Sequence, residues 1–151
     1  ELENLKHIYT SPLKRCSRLA QTLNTNMVEF HSDTRIMELN FGRWELRKWD
    51  KIDPKALKEW TNDFVHCPTP DGESHIDLYN RVSEFWDELI KHTGGPLAVV
   101  THGGVIKSIL SKILESPLNK SYSIKVHYGE LISVQYFGEN HYEIEFLTSP
   151  D

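Results

Sequence analysis

The sequence predicts an α/β protein, a three-layer sandwich around a mostly parallel central sheet. Three observations carry that prediction. Strand-like and helix-like patterns alternate along the chain. A short apolar run, Leu97–Val100, passes through Thr101-His102-Gly103-Gly104 into a helical stripe, as a buried parallel strand feeding a helix does. Two final strand-like segments flank Gly138-Glu139-Asn140, a hairpin turn expected at the end of the sheet. The 151 residues suffice for one domain with a real core, and no repeat or low-complexity tract divides them.

Each element has its own signal. His7-Ile8-Tyr9 reads as a strand, and Ser11-Pro12 as an N-cap with proline at the first helical position. Leu13, Cys16, Leu19, Ala20 and Leu23 mark the buried stripe of that helix. Met27 to Phe30 reads as a short second strand, and Asp33 to Trp49 as an irregular, aromatic, site-bearing loop. Asp53-Pro54 opens a helix through Leu57 and Trp60, which ends in a segment with Pro68, Pro70 and Gly72. Ser74 and Asp77 form a capping-box-like pair before a long helix with Tyr79, Val82, Phe85, Trp86, Leu89 and Ile90 inward. Thr93-Gly94-Gly95-Pro96 stops it. Val105, Ile106, Ile109, Leu110, Ile113 and Leu114 give the last helix its apolar face.

Composition narrows the function. The net charge of −5 excludes a broad nucleic-acid face, so any anion site is a local gathering of Arg and His. No apolar run approaches the ~20 residues of a membrane span. Cys16 and Cys67 lack paired or metal-like spacing and read as free thiols of a reducing compartment, the cytoplasm. The eight histidines show no ligand spacing, so neither a metal nor a cofactor is expected. The chain opens Glu1-Leu2-Glu3-Asn4 and reaches a strand almost at once. That reads as a sequence cut into, with a processed or engineered terminus as the plain alternative.

Four places carry candidate chemistry. His102 and Gly103 lie on a turn at the carboxyl edge of a strand, where free N–H groups of a helix start favour anions. Gly103 and Gly104 keep side chains off the backbone there. Arg15, just past another strand end, suits a bidentate grip on phosphate. Glu38 lies among Ile36, Met37, Leu39 and Phe41; a partly buried carboxyl there is a usable general acid, or else half of a salt bridge. Glu73 either favours the dipole of the long helix or contacts substrate, Glu45 ties down its loop, and Trp44 is a core, lid or contact residue.

In order, an early helical Arg, the Leu39-Asn40-Phe41-Gly42-Arg43-Trp44-Glu45 segment and Thr101-His102-Gly103-Gly104 form a set. It resembles the histidine phosphatase (phosphoglycerate mutase-like) superfamily over roughly residues 8–114. With Trp49-Asp50, Gly72-Glu73-Ser74 and Arg81-Val82, it is most similar to the α-ribazole phosphatase branch. The resemblance implies a phosphoglycerate mutase-like fold and hydrolysis of a phosphomonoester through a phosphohistidine, with a phosphorylated small molecule as partner. The ester implied is the 5′-phosphate of α-ribazole in cobalamin synthesis. Arg15 would grip the phosphate, Glu38 would protonate the leaving oxygen, and His102 would stabilise the phosphoryl group. Arg and His supply the charge, so the reaction is expected to need no metal.

The departures from the family pattern set further expectations. Leu46 and Asp71 stand where glycine is usual, and no Arg-His-Gly, the family's nucleophile motif, occurs anywhere in the chain. The domain over 1–151 is therefore expected to be N-terminally incomplete, inactive alone, and prone to self-association through the sheet edge so exposed. Alternatives are a phosphoglycerate mutase-like or broad-specificity phosphatase, or a non-catalytic remnant that binds a phosphate ligand or a protein.

Overall fold

The computed structural model describes residues 4–24, 26–91 and 94–147. Strands β1 (His7–Thr10), β2 (Glu29–Ser32) and β3 (Leu97–Val100) form a parallel sheet in the order β2-β1-β3. Alternation along the strands decides which helices cover which face. Ile8, Ala98 and Val100 point into a cluster with Cys16 and Ala20 of α1 (Lys14–Leu23). Tyr9, Leu97 and Val99 pack on the opposite cluster. That larger cluster is built from Leu78, Val82, Phe85, Trp86 and Leu89 of α3 (His75–Leu89) with Val105 and Ile109 of α4 (Gly103–Ile113). These are the three layers the sequence predicts.

Helix starts follow local chemistry. Asp53 accepts a hydrogen bond from Ala56 N at 2.9 Å ahead of α2 (Pro54–Asn62). The Ser74 and Asp77 capping box closes in both directions, at 3.3 Å and 3.0 Å. A smaller aromatic core of Trp44, Ile52 and Trp60 sits apart under the 41–67 loop region. Among the described residues no helix is long and apolar enough to cross a membrane.

Several expectations need correction. Helix α1 starts at Lys14, and Leu13, with no side-chain cap, takes the N-cap position expected of Ser11. The second strand is Glu29–Ser32, because Met27 adopts φ +50° and is almost fully exposed. Leu78, fully buried, faces the core in α3, whereas Tyr79 is only half-buried. Strands β4 (Ile132–Tyr136) and β5 (Tyr142–Phe146) pair antiparallel as a separate two-stranded sheet rather than extending the central one. Its Val134 and Tyr142 still rest on the main core. Thr93 of the expected helix stop, His92, and the opening Glu1-Leu2-Glu3 lie outside the described residues.

Candidate active site

Thr10, Ser11 and His102 gather at the carboxyl edge of β1 and β3. His102 caps α4 by backbone position alone, which frees its imidazole to turn toward α1. It is 6% exposed. Arg15 Nε donates to His102 Nδ1 at 3.1 Å, and a guanidinium can only donate. The ring proton therefore sits on Nε2 and is given to Ser11 Oγ at 2.8 Å. Ser11 also accepts from Leu13 N at 3.3 Å, so its hydroxyl serves the site and the turn, not the helix cap. Arg15 is exposed, and among the described residues its other donors have no protein partner, leaving them for an anion.

Burial, then the charges of Arg15 and Arg81, lower the His102 pKa from 6.5 to about 4. At neutral pH His102 is thus a neutral imidazole, and Arg15 is the cation beside it. The unfolded chain binds a proton between pH 6.5 and 4 that the folded chain refuses. Stability contributed by neutral His102 is complete above pH 6.5 and lost as the pH falls through 4. The melting temperature is expected to drop across that window, and His102→Asn to flatten the drop. An unchanged slope in the variant would contradict this assignment.

Glu38 approaches from the 36–41 segment. Its carboxylate accepts from Leu39 N at 2.9 Å and from Gly104 N at 3.3 Å, meeting the positive end of α4. A Cβ built on Gly104 would collide with this carboxylate, whereas one on Gly103 would meet nothing within 4 Å. The two glycines therefore differ in purpose: Gly104 admits Glu38, and Gly103 leaves the helix start open. Two clamps hold the Glu38 backbone. Thr101 Oγ1 donates to Ile36 O at 2.7 Å. Arg81 donates to Arg35 O, Met37 O and Glu38 O at 2.7, 2.8 and 3.1 Å.

Of the remaining candidates, Glu73 grips Arg81 at 2.8 and 2.9 Å and accepts from Asn40 N at 2.9 Å. Burial pushes its carboxyl up, but these bonds and the Arg81 charge bring it below the usual range. Both its oxygens are occupied by the scaffold. Trp44 is buried edge-on against Trp60, their rings 5.8 Å apart. Glu45 ties its loop by accepting from Phe41 N at 2.8 Å. A hollow of about 150 Å³ in this aromatic loop is lined by Phe41, Leu46 and Trp49 among others, but not by Arg15, Glu38 or His102. Leu46 and Asp71, expected as departures from glycine, both adopt left-handed φ, +59° and +57°.

Sequence reasoning missed three contributors. Ser11 is hidden by its fit to a helix-cap pattern. Cys16 carries only a core signal, yet its Sγ lies 3.5 Å from His102 Nε2, where burial raises its pKa. Arg81 was visible only as part of a motif, without its clamp.

Comparisons with known proteins bear on the family and the fold. The profile of the histidine phosphatase superfamily (branch 1) matches residues 1–148. Phosphoglycerate mutase-like protein 4 of Arabidopsis thaliana is 28% identical over 91% of this chain. Phosphoserine phosphatase 1 of Hydrogenobacter thermophilus is 29% identical over 80%. The chain spans 66% and 60% of those relatives' own lengths. Among solved structures, the α-ribazole phosphatase of Shigella flexneri superposes with a TM-score of 0.83 at 21% identity. It covers 97% of this chain and 75% of its own. Bacillus stearothermophilus YhfR gives 0.78 at 25% identity, with the same coverages.

Proposed function

The chain belongs to the histidine phosphatase superfamily, and from that premise we propose that it is the phosphate-gripping and proton-donating part of a phosphomonoesterase. One observation carries the reading. Exposed Arg15, neutral His102 and the open start of α4 share one sheet edge, with Glu38 seated against the same helix start.

Arg15 and the α4 N–H groups hold the phosphate, and His102 faces the equatorial oxygens during transfer. A nucleophilic histidine forms the N–P bond as the P–O bond to the alcohol breaks, and Glu38 gives the departing oxygen its proton. Water then attacks the phosphorus, giving a proton to the Glu38 carboxylate, as the N–P bond breaks; inorganic phosphate leaves, and the histidine and the acid are restored. No Arg-His-Gly lies within residues 1–151, so the nucleophilic histidine is the one part of this mechanism that they do not supply. The reaction uses no metal, because Arg15 and the helix start meet the phosphate charge.

For the substrate we favour α-ribazole 5′-phosphate, on the Phe41-Gly42-Arg43-Trp44-Glu45 and Gly72-Glu73-Ser74 motifs. The fold match to an α-ribazole phosphatase agrees with this without deciding it. A phosphoglycerate mutase-like activity is the second reading, favoured by the name of the Arabidopsis relative.

Phosphate release by the full-length protein from α-ribazole 5′-phosphate, phosphoserine and 3-phosphoglycerate tests both. The expected result is release fastest from the first and unchanged by a chelator. Residues 1–151 alone are expected to match a His102→Ala control. Isomerisation of 3-phosphoglycerate without release would favour the mutase, and chelator loss restored by a divalent ion would overturn the metal-free step.

A further inference from the structure

The parallel register of β1 and β2 sets His7 opposite Glu29 and Tyr9 opposite His31. Residues two apart on a strand share a face, so His7, Glu29 and His31 all project from the α3 side of the sheet. Their donor atoms converge. Glu29 Oε2 lies 3.2 Å from His7 Nδ1, Glu29 Oε1 lies 3.5 Å from His31 Nε2, and the two ring nitrogens are 3.4 Å apart. We propose that His7, Glu29 and His31 form a site for a divalent transition-metal ion of the zinc class, with water as the fourth ligand.

The distances favour a metal over a hydrogen-bonded trio. Good N–H···O bonds in proteins run from about 2.7 to about 3.2 Å, and two of these three separations are longer. Around a tetrahedral zinc with ligands at about 2.0–2.1 Å, neighbouring donor atoms stand about 3.3 Å apart. The two ring nitrogens, 3.4 Å apart, and Glu29 Oε2, 3.2 Å from His7 Nδ1, match that edge. Glu29 meets His31 through its other oxygen, so the three ligand atoms, all within 4.8 Å of one another, close on one ion by a turn of the exposed carboxylate. Two imidazoles and a carboxylate also suit zinc, cobalt(II) or nickel(II) better than the hard ions calcium and magnesium.

The donors are presented by rigid backbone. His7 and Glu29 sit on paired strands, and the His31 ring stacks on Tyr9 at 4.5 Å, which in turn packs edge-on against Phe85 of α3. Glu29 is the most exposed of the three, which leaves the fourth position open to water. The sequence conceals the set because the two histidines are separated by 23 intervening residues and meet only through strand register.

Placement decides the role. His7 and Glu29 lie at the amino ends of their strands, three residues or roughly 10 Å from Thr10, and His31 lies one pair short of it, so the ion sits on the α3 face of β1 and β2 rather than on the carboxyl edge where Arg15 and His102 meet. There it ties β2, paired only with β1 among the described residues, to the centre of the sheet. The ion is a structural tie and takes no part in phosphate chemistry.

Cobalt(II) titrated into metal-stripped full-length protein tests the site. The expected result is one equivalent bound with the intense visible bands of a tetrahedral complex, displaced by zinc. Zinc at a hundredfold excess over its Kd should raise the melting temperature by about 5–10 °C with phosphatase activity unchanged. His31→Gln, and separately the surface variant Glu29→Gln, should weaken binding at least tenfold and erase the tetrahedral spectrum. His127→Gln should leave both intact. Absence of saturable binding, a weakly absorbing octahedral spectrum, or binding that survives both ligand variants would overturn the proposal.

Discussion

Glu38→Gln in the full-length protein is expected to slow hydrolysis of an alkyl phosphate by about 10²–10⁴-fold while slowing an aryl phosphate far less. An alkoxide leaves poorly without a proton, and the glutamine amide has none to give. An aryl oxyanion leaves well on its own. The substitution also carries a positional cost. Glu38 accepts from both Leu39 N and Gly104 N, and an amide can turn its oxygen toward only one of them. That cost falls on both substrates alike, so the difference between them isolates the proton. Rates on the two substrates check the point. Equal losses would make Glu38 a cap of α4 rather than the acid, and Glu73, held by Arg81 and Asn40 N, is not free to replace it. Arg15→Ala, in contrast, should damage both substrates.

Arg81→Ala is expected to cause the largest loss of stability. The side chain is about one-fifth exposed (21%) and satisfies three backbone carbonyls as well as both oxygens of Glu73. Removing it strands a half-buried carboxylate and three acceptors. The cost is about 3 kcal/mol, which for a domain of this size lowers the melting temperature by roughly 6–12 °C. Arg81→Lys keeps the charge but not the fork, and should recover less than half of the loss. Thermal denaturation of the two variants decides it. A drop below about 2 °C for the alanine variant would show that water replaces the clamp.

What the sequence disclosed was mostly local chemistry. The Asp53 cap, the Ser74 and Asp77 box, the Gly138 turn and the Thr101-to-Gly104 turn each depend on neighbours a few residues away, so pattern sufficed. Arg15 and His102, 87 residues apart, were legible because both follow strand ends and parallel strands bring such ends to one edge. Errors arose where a distant partner competed with a local one. Ser11 had the makings of a cap, but His102 claims its hydroxyl. Gly104 looked like room for phosphate, but the room belongs to Glu38. The hairpin was read correctly as a hairpin, since its turn is local. Which sheet it joins is a long-range matter that no turn residue encodes.

The aromatic cluster of Trp44, Ile52 and Trp60 is separate from the main core, and Phe41 packs against both. A segment with its own apolar interior has its own opening equilibrium, set below that of the domain. The 42–67 region is therefore expected to open ahead of the sheet, once it releases Phe41 and the His75 N to Phe64 O and Ile76 N to Val65 O bonds that hold it to α3. Its amides will exchange with solvent as one group, sooner than those of β1 and β3. Opening of that patch alone would leave Arg15, Glu38 and His102 in place.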